Sequence, residues 1–423
     1  MLNNLQIDTE RCLALKDIKI IDFAEVFAAP FGISLMADMG AEVIKVESFP
    51  RRSLTRPISI DARVADGPGP AYEKTAPQTQ GNRNKLFLSL NLNHKDGKEI
   101  FTRLIKWADI IIDGYAAGVI DKLGFSWEEI HEINKSISMI SMPAWGVEGP
   151  YTGYTALGSL VEASSGHVIT RGNSQKPTED ILGTIQTDAS APLEVMFATI
   201  ASMYRKKETA TGSFIDLSHL EAFAWYLPGM LSEWEWNKRL PKQLGNEDKN
   251  FVPHGCFVTS NPEEWVVIAV ENDSQWQGLC QALSKENFAE IGHPWSSIIG
   301  RMSNKTAINE WIQKEVQVMK RSQIIDLLVK NNVITAPVIN APGLLTNDQL
   351  TSRNWWQSVD HKFLGNRLMS GFLWNIKPDK QKWYLPAGLL GEHNEVILKN
   401  LGFSKDEIKQ FNANQVIGNE YTQ

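Results

Sequence analysis

The carboxylate best suited to covalent chemistry in this 423-residue chain is Asp188. It stands in the stretch QTDASAP, residues 186–192, where small neighbours would let a bulky ligand approach. An amphipathic helix is predicted directly after it, and the amides at a helix N-terminus stabilise an anion. Two interpretations use this same physics: an acid that caps the helix, or an ionised nucleophile that attacks an activated acyl group. The local pattern leaves both open.

Other familiar catalytic and cofactor signatures are absent from the sequence. It has no G-x-G-x-x-G after the first predicted strand, no G-x-x-x-x-G-K-[ST], no G-x-S-x-G and no H-E-x-x-H. The eight histidines do not pair at metal-ligand spacing. The three cysteines, Cys12, Cys256 and Cys280, are too far apart for a disulfide framework or a metal knuckle. We therefore expect no metal site.

Composition and charge narrow the class of protein. Lysine and arginine total 42 against 49 aspartate and glutamate, a formal net charge of −7, so a basic surface for nucleic acid is not expected. Apolar residues make up 43% and charged residues 22%, as in folded globular proteins. No apolar run approaches the roughly 18 residues of a membrane span. Asp8 and Glu10 near the N-terminus are unlike a signal peptide. These features predict a cytoplasmic protein without nucleic-acid or membrane partners.

The elements that must position Asp188 follow an alternating pattern. Short β-branched runs alternate with amphipathic stretches, which predicts a parallel sheet with crossover helices. Strands are expected at 18–23, 42–47, 86–90, 109–113, 137–142 and 214–217, with helices at 29–39, 95–107 and 127–133. A helix from about Ser190 to Tyr204 is predicted to turn one apolar face toward the core. That face carries Leu193, Met196, Phe197, Ile200, Met203 and Tyr204.

A change in amino-acid composition near residue 225 predicts a second domain. Tryptophan, asparagine and charged residues become more frequent there, and residues 265–270 look like an isolated buried strand among helices. We expect a large domain over 1–225, to which 344–423 return, and a smaller α/β domain over 226–343. Residues 395–411 should form short helices around a break at Gly402.

An ordered set of motifs resembles the class III coenzyme A transferases, the formyl-CoA and carnitine-CoA transferase family. The set begins with LKDIKIIDFAEVFAAPFGISLMADMGAEVIKVES (15–48) and continues with NRNKLFLSLNLNHKDGKEIFTRLIKWADIIID (82–113) and WGVEGPY (145–151). TGSFIDLSHLEA (211–222), EEWVVIAVENDSQW (263–276) and LLGEHNEVILKNLGF (389–403) follow in the same order. The resemblance covers nearly the whole chain. It implies a Rossmann-like large domain, a smaller α/β domain and an interlocked homodimer.

The resemblance also implies a reaction at Asp188. The family places its catalytic acid in a short A/G-D-x-x-x-G element before a long helix, although Pro192 replaces the terminal glycine here. Asp188 would attack an acyl-CoA thioester, and coenzyme A would then pass through an aspartyl thioester to a carboxylic acid acceptor. Acyl-CoA and the acid are the substrates, and no tightly bound cofactor is implied.

Binding residues are carried over from the same resemblance. The positions implied for coenzyme A are Phe27, Ala28, Arg51, Arg52, Leu90, Asn91, Leu92, Asn93, Gly114, Tyr115, Lys122 and Trp145. The positions implied for the acyl group or the acid are Glu148, His254 and Gly255. Ser48 stands where the family often has a basic residue. Arg51, Arg52 and Arg56 would supply the missing positive charge. Residues 114–119, GYAAGV, lack the Asn and Arg of the family's N-F-R-P-G-V element.

Two alternatives remain open at this point. A 2-methylacyl-CoA racemase would share the fold, but it needs a histidine for proton transfer where this chain has Leu157. A non-catalytic CoA-binding subunit would belong to a different class of protein. The presence of Asp188 argues against such a subunit, and Pro192 argues for it.

Overall fold

Two compact units make up the chain in the computed structural model, which describes residues 14–56, 64–172, 185–377 and 383–422. The first unit takes the described residues up to His167, those from 185 to Glu235 and those from Asn354 onward. The second takes residues 168–172 and Trp236–Arg353. The sequence put the corresponding limits after residues 225 and 343. Cys12 lies outside the described ranges.

A parallel six-stranded sheet forms the centre of the first unit, so the predicted α/β class is confirmed. Its strands are β1 (Lys19–Phe23), β2 (Glu42–Glu47), β3 (Leu86–Ser89), β4 (Ile110–Asp113), β5 (Ser138–Ser141) and β6 (Phe214–Asp216). They lie side by side in the order β3-β2-β1-β4-β5-β6. The chain reverses its direction of travel across the sheet between β1 and β4. In such sheets ligands bind at the carboxyl ends of the two strands where this reversal occurs.

Helices connect the strands and cover the sheet. The helices of this part of the chain are α1 (Ala28–Asp38), α2 (Ala76–Gly81), α3 (Lys95–Trp107), α4 (Val119–Lys122), α5 (Trp127–Ile133), α6 (Gly158–Ser164), α7 (Gln186–Thr209), α8 (His219–Ala224) and α9 (Pro228–Asn237). The strand residues Ile20, Ile21, Ile44 and Ile111 are fully buried. Burial on both faces explains why these strands read as continuous apolar runs. Within the described residues, none of the helices combines the length and apolarity that a membrane crossing requires.

The long helix α7 packs against α1 with a face that only partly overlaps the predicted one. Ala191, Val195 and Thr199 are buried, whereas Phe197 and Tyr204 are 74% and 70% exposed in the single chain. Small residues permit this close approach. A Cβ atom at Gly32 of α1 would lie 2.5 Å from Val195 Cγ1 and 2.6 Å from the Pro192 carbonyl oxygen. Of the predicted core face, Met196 and Met203 pack partly buried against the core. The prediction was wrong for the other four residues, which are exposed: Leu193, Phe197, Ile200 and Tyr204.

The second unit has a small sheet of its own. Strands β7 (His254–Val258), β8 (Trp265–Ala269) and β9 (Ile334–Val338) form an antiparallel sheet in the order β7-β8-β9. The helices around it are α10 (Asp273–Ala282), α11 (Ile298–Ser303), α12 (Lys305–Val316), α13 (Arg321–Lys330), α14 (Ala341–Leu345) and α15 (Asp348–Ser352). The prediction of an isolated, buried strand at 265–270 was wrong, because β8 is the central strand and buries only alternate residues.

The C-terminal residues return to the first unit. They form strands β10 (Gln357–His361) and β11 (Gly365–Met369) and helices α16 (Asn394–Asn400) and α17 (Lys405–Ala413). The Ser89 amide, at the end of β3, donates a 3.0 Å hydrogen bond to Asn394 Oδ1. The predicted pair of short helices around Gly402 is confirmed.

Candidate active site

A cavity of about 440 Å³ opens at the carboxyl ends of β1 and β4, where the sheet topology predicts a ligand site. We call it the Asp188 cavity. Its lining comprises residues 25–29 after β1, 114–117 after β4 and 142–146 after β5, together with Leu54, Pro77, Thr152, residues 154–158, Val161, Ile185, Asp188 and His219. Every one of these residues belongs to the first unit.

Side chains join the loops after β1 and β4. Tyr115 donates a 3.0 Å hydrogen bond from its hydroxyl to Glu25 Oε1, and Arg51 donates to the same oxygen at 2.5 Å. The Tyr115 amide donates to Asp113 Oδ1 at 3.1 Å. These contacts hold the Tyr115 side chain in the wall of the Asp188 cavity, beside the end of β1.

The backbone at this crevice is also constrained. Val26 adopts a positive φ of 66°, a conformation that a β-branched residue rarely occupies. Its amide donates a 2.8 Å hydrogen bond to Thr55 Oγ1. Gly114 allows the two loops to approach, because a Cβ atom there would lie 2.6 Å from the Ala24 Cβ. Such conformations persist only where the surrounding structure holds them, and they concentrate at functional sites.

Buried charges support the same loop. Lys45 donates a 2.7 Å hydrogen bond from Nζ to the Ala24 carbonyl oxygen, and Lys85 Nζ donates to Asp22 Oδ2 at 2.7 Å. Burial alone would raise the pKa of Asp22, but the charges of Lys45 and Lys85 outweigh this effect and lower it. Burial lowers the pKa of Lys85 to about 7. The ionised Asp22 holds Lys45 and Lys85 beneath the turn that leads to Glu25.

Asp188 lies in the first turn of α7 and lines the cavity. The helix begins at Gln186, four residues earlier than predicted, so Asp188 is its third residue and does not precede it. Among the described residues, no group donates a hydrogen bond to its carboxylate. Proline has no N–H, so Pro192 gives no helical hydrogen bond to the Asp188 carbonyl oxygen.

A second carboxylate, Glu162 on α6, takes the capping role that the sequence could have assigned to Asp188. Glu162 is 2% exposed. Its Oε1 accepts hydrogen bonds from the amide of Gln186 and, at 3.2 Å, from the amide of Thr187. The residue at the N-cap position, Ile185, has no side chain able to do this. Because Glu162 satisfies these amides, the Asp188 carboxylate is left for other chemistry.

Burial and charge both act on Asp188. Burial raises the pKa of its carboxyl, and the negative charge of Glu162 raises it further, to about 6. No described cation offsets these two effects. Asp188 is therefore mostly ionised at pH 7 but more basic than an ordinary aspartate.

Gly158, the first residue of α6, sets the space beside this carboxylate. A Cβ atom there would lie 2.5 Å from Asp188 Oδ1 and 2.7 Å from Thr187 Oγ1. Any larger residue would push the acid away from its present position. Glycine at 158 is therefore part of the site although it has no functional group.

Aromatic side chains and one histidine complete the described wall. The Trp145 indole donates a 3.0 Å hydrogen bond from Nε1 to the Tyr154 carbonyl oxygen, and both residues line the cavity. The His219 imidazole also lines it and has no hydrogen-bond partner among the described residues. Burial lowers the pKa of His219 to about 4, so the ring is neutral at pH 7.

Six of the residues proposed from the sequence meet in this cavity. They are Phe27, Ala28, Gly114, Tyr115, Trp145 and Asp188. Glu25, Gly158, Glu162 and His219 were missed. Glu25 could have been found, since it follows β1 at the reversal of the sheet, but Glu162 and His219 carry no local signal that distinguishes them.

The remaining proposed residues lie elsewhere. Leu90 and Leu92 pack in the hydrophobic core, while Asn91, Asn93 and Lys122 are on the surface or partly exposed. Arg52 lies above the Tyr421 ring, and Glu148 is exposed in the loop after Trp145. His254 and Gly255 lie on β7 in the second unit, where they line a different cavity of about 480 Å³.

Arg56 cannot serve the phosphate-binding role that the sequence suggested for it. Its side chain is fully buried. Nε and Nη2 donate to Glu47 at 2.9 and 3.0 Å, and Nη1 donates to Glu73. These three contacts pair the Arg56 guanidinium with acids of the first unit, so it is not available to bind a phosphate. Within the described residues, no cluster of three or more His, Cys, Asp or Glu side chains is arranged to hold a metal ion.

Comparison with known proteins points to one family. The family model for CoA-transferase family III matches residues 15–394. The beta subunit of the succinyl-CoA–L-malate CoA-transferase of Chloroflexus aurantiacus is 24% identical over 421 residues, which cover 97% of this chain and 99% of that protein. The acetyl-CoA:oxalate CoA-transferase of Acetobacter aceti is 26% identical, with 79% of this chain and 83% of that protein covered.

A solved structure shows the same fold. The crystal structure of a CAIB/BAIF family protein from Brucella suis matches with a TM-score of 0.83 at 22% identity. The match covers 92% of this chain and 100% of that one. The α/β architecture with two units is thus an established one.

The capping role of Glu162 predicts how two substitutions will differ. Glu162→Gln keeps an oxygen that accepts from the Gln186 and Thr187 amides but removes the negative charge facing Asp188. We expect the pKa of Asp188 to fall below its wild-type value of about 6. Glu162→Ala should also lower this pKa but, without the cap, should reduce the free energy of unfolding by about 1 kcal/mol.

The pKa of Asp188 can be followed by NMR titration of protein carrying ¹³C-labelled aspartate, with Asp188→Asn used to assign the signal. Thermal unfolding of the two Glu162 variants measures the loss of the cap. An Asp188 pKa that is the same in Glu162→Gln as in wild type would contradict the account.

Proposed function

The chain belongs to CoA-transferase family III, and we propose that its Asp188 carboxylate carries coenzyme A from an acyl-CoA donor to a carboxylic acid acceptor. The observation that carries this proposal is an acid to which no described residue donates a hydrogen bond, in a largely apolar cavity at the reversal of the sheet. Acyl-CoA:carboxylate CoA transfer in general follows from the family. The covalent route and the residues involved are the proposal.

The reaction consists of exchanges between carboxylates and a thiolate at activated carbonyls. Asp188 attacks the acyl-CoA thioester, which forms a mixed anhydride and releases the CoA thiolate. The thiolate attacks the aspartyl carbonyl, so the donor acid leaves and an aspartyl-CoA thioester remains. The acceptor carboxylate attacks this thioester and expels the thiolate to give a second anhydride. The thiolate then attacks the acyl carbonyl, which yields the new acyl-CoA and restores Asp188.

The environment of Asp188 suits the first step. A nucleophilic carboxylate must be ionised, and a carboxylate with a raised pKa is more basic and hence more nucleophilic. A pKa of about 6 leaves most of the acid ionised at pH 7 while it retains this added basicity. No described hydrogen bond has to be broken before Asp188 attacks.

The cavity walls support a path for coenzyme A. Phe27 and Ala28 follow β1, and Gly114 and Tyr115 follow β4, so the pantetheine arm would enter between these loops. Arg51 and Arg52 follow β2, and Asn93 follows β3. Polar groups at these neighbouring strand ends support our proposal that the nucleotide binds there. Leu90 and Leu92 would contribute backbone contacts only, because their side chains are buried. Lys122, Trp145, Glu148, His254 and Gly255 remain proposed contacts.

We also propose that the protein is a homodimer. The support is the apolar face of α7, where Leu193, Phe197, Ile200 and Tyr204 are exposed in the single chain. Large contiguous apolar surfaces of this kind mark interfaces. One side of α7 packs against α1 through small residues, and the other side exposes large apolar residues. This exposed apolar side suits packing against a second copy of this chain.

Light scattering on the purified protein tests the dimer. The expected mass is about twice the chain mass of 47.5 kDa. Phe197→Asp should shift the equilibrium toward the monomer, because it buries a charge at the interface. Lys207→Asp, at an exposed polar position of the same helix, is the control and should leave the mass unchanged. A wild-type protein that is monomeric at micromolar concentration would contradict this proposal.

Replacement of Asp188 tests the nucleophile. Asp188→Ala and Asp188→Asn should lower kcat for CoA transfer by at least about 1,000-fold, a loss of about 4 kcal/mol in transition-state stabilisation. The fold should survive. A folded pKa above the unfolded value means that the ionised acid costs stability at pH 7, so Asp188→Asn should unfold no more easily than wild type there.

Glu194→Gln is the matched control for these variants. Glu194 is a partly buried carboxylate on the same helix, nearly two turns further along, and it does not line the cavity. Transfer by this variant should stay within tenfold of wild type. If an Asp188 variant that folds and forms the wild-type assembly also stays within tenfold, the nucleophile is wrongly assigned.

A further inference from the structure

The distribution of charge in the Asp188 cavity restricts the acids that it can accept. Among the described residues that line it, no lysine or arginine is present, and the acids are Glu25 and Asp188. Most of the remaining wall is apolar. It includes Phe27, Met142, Trp145, Leu157, Val161 and Ile185.

Outside the lining, the nearest described cation is already paired. Arg51, which is not part of the lining, donates to Glu25 at 2.5 Å. Glu162, behind Asp188, is buried and adds another negative charge. His219 is the one lining side chain of the described set that could become cationic close to neutral pH, and burial lowers its pKa to about 4.

We propose that the acids exchanged in this cavity are monocarboxylic acids with an apolar body, and that short dicarboxylic acids are poor substrates. This inference rests on the CoA transfer proposed above and adds the substrate class. The reacting carboxylate must reach Asp188. In succinate only two methylene groups separate the carboxyls, so the second carboxylate would also enter the cavity.

The physical reason is the cost of burying that second charge. A carboxylate transferred from water into an apolar site requires a cation or several hydrogen-bond donors to offset its lost hydration. On the donor thioester this charge would face the ionised Asp188 instead, with the buried charge of Glu162 behind it, and like charges repel. A hydrocarbon chain of the same length gains from contact with the apolar wall. The relatives described above are named after reactions of malate, succinyl-CoA and oxalate, so this chain would differ from them in substrate charge.

Self-exchange measures the preference directly, whichever acids are the natural substrates. The enzyme is given an acyl-CoA together with its own acid labelled with ¹³C, and the label that enters the thioester is followed by mass spectrometry. Three pairs are compared: butyryl-CoA with butyrate, succinyl-CoA with succinate, and the CoA thioester of succinic acid monoamide with that monoamide. The monoamide matches succinate in size but carries no second charge. Each reaction is energetically neutral, so the rates report the enzyme alone.

We expect kcat/KM for the butyrate pair to exceed that for the succinate pair by at least about 100-fold. The monoamide pair should exceed the succinate pair by at least about tenfold, which assigns the difference to charge. A succinate pair that exchanges as fast as the butyrate pair would overturn the inference.

A cation placed in the wall provides the converse test. Leu157 lines the cavity, is 54% exposed and makes no capping hydrogen bond, so a longer side chain can be accommodated there. Leu157→Arg should raise the succinate-to-butyrate ratio by at least about tenfold, because it supplies the missing positive charge. Leu157→Gln, which is polar but neutral, should leave the ratio within threefold of wild type. An unchanged ratio in Leu157→Arg would contradict the inference.

CoA transfer by Asp188 and the choice of acid are tested by different results. One result is that Asp188→Asn abolishes exchange of every pair while the wild-type enzyme exchanges succinate as fast as butyrate. In that case the proposed CoA transfer stands and the proposed substrate class is wrong. If Asp188→Asn exchanges as well as wild type, the proposed role of Asp188 is wrong whatever the order of the acids.

Discussion

The structure depends on how the N-terminus of α7 is satisfied. A helix leaves its first amides without partners, and the side-chain oxygen of the N-cap residue commonly accepts hydrogen bonds from them. Here Glu162 comes from another helix to accept from Gln186 and Thr187, and Asp188 is left without a donor among the described residues. Two carboxylates thus divide two roles. Glu162 caps the N-terminus of α7, and Asp188 keeps a raised pKa and faces the cavity.

The sheet determines where this acid acts. The reversal between β1 and β4 brings the loops after these strands together, and Tyr115, Glu25 and Arg51 link them. Lys45 supports the turn after β1 from below. Because these contacts hold Arg51 and Lys45 in place, the described lining of the cavity is apolar and negative. That balance favours an activated, uncharged acyl group beside Asp188, and it explains why the charge of the acid should control the choice of substrate.

Much of the first unit could be predicted from the sequence, because its strands are short apolar runs whose connections fix a parallel sheet. Asp188 could also be proposed, since small residues and a helix follow it. Glu162 could not, because it lies 24 residues before the amide that it caps. The buried face of α7 was predicted correctly only for Met196 and Met203, for a related reason. Apolar periodicity finds a face that avoids water, but it does not distinguish the core of one chain, where Val195 packs, from an outer surface that carries Phe197.

Direct capture of the covalent intermediate tests the central claim. The enzyme is incubated with butyryl-CoA and no acceptor, treated with neutral hydroxylamine or borohydride, digested and mapped by mass spectrometry. An aspartyl-CoA thioester should give a hydroxamate or an alcohol on the peptide that contains Thr187, Asp188 and Ala189. Asp188→Asn should give neither product. If an acyl-CoA that the enzyme turns over never labels this peptide, and labels another carboxylate such as Glu148 or Asp216, Asp188 is not the nucleophile.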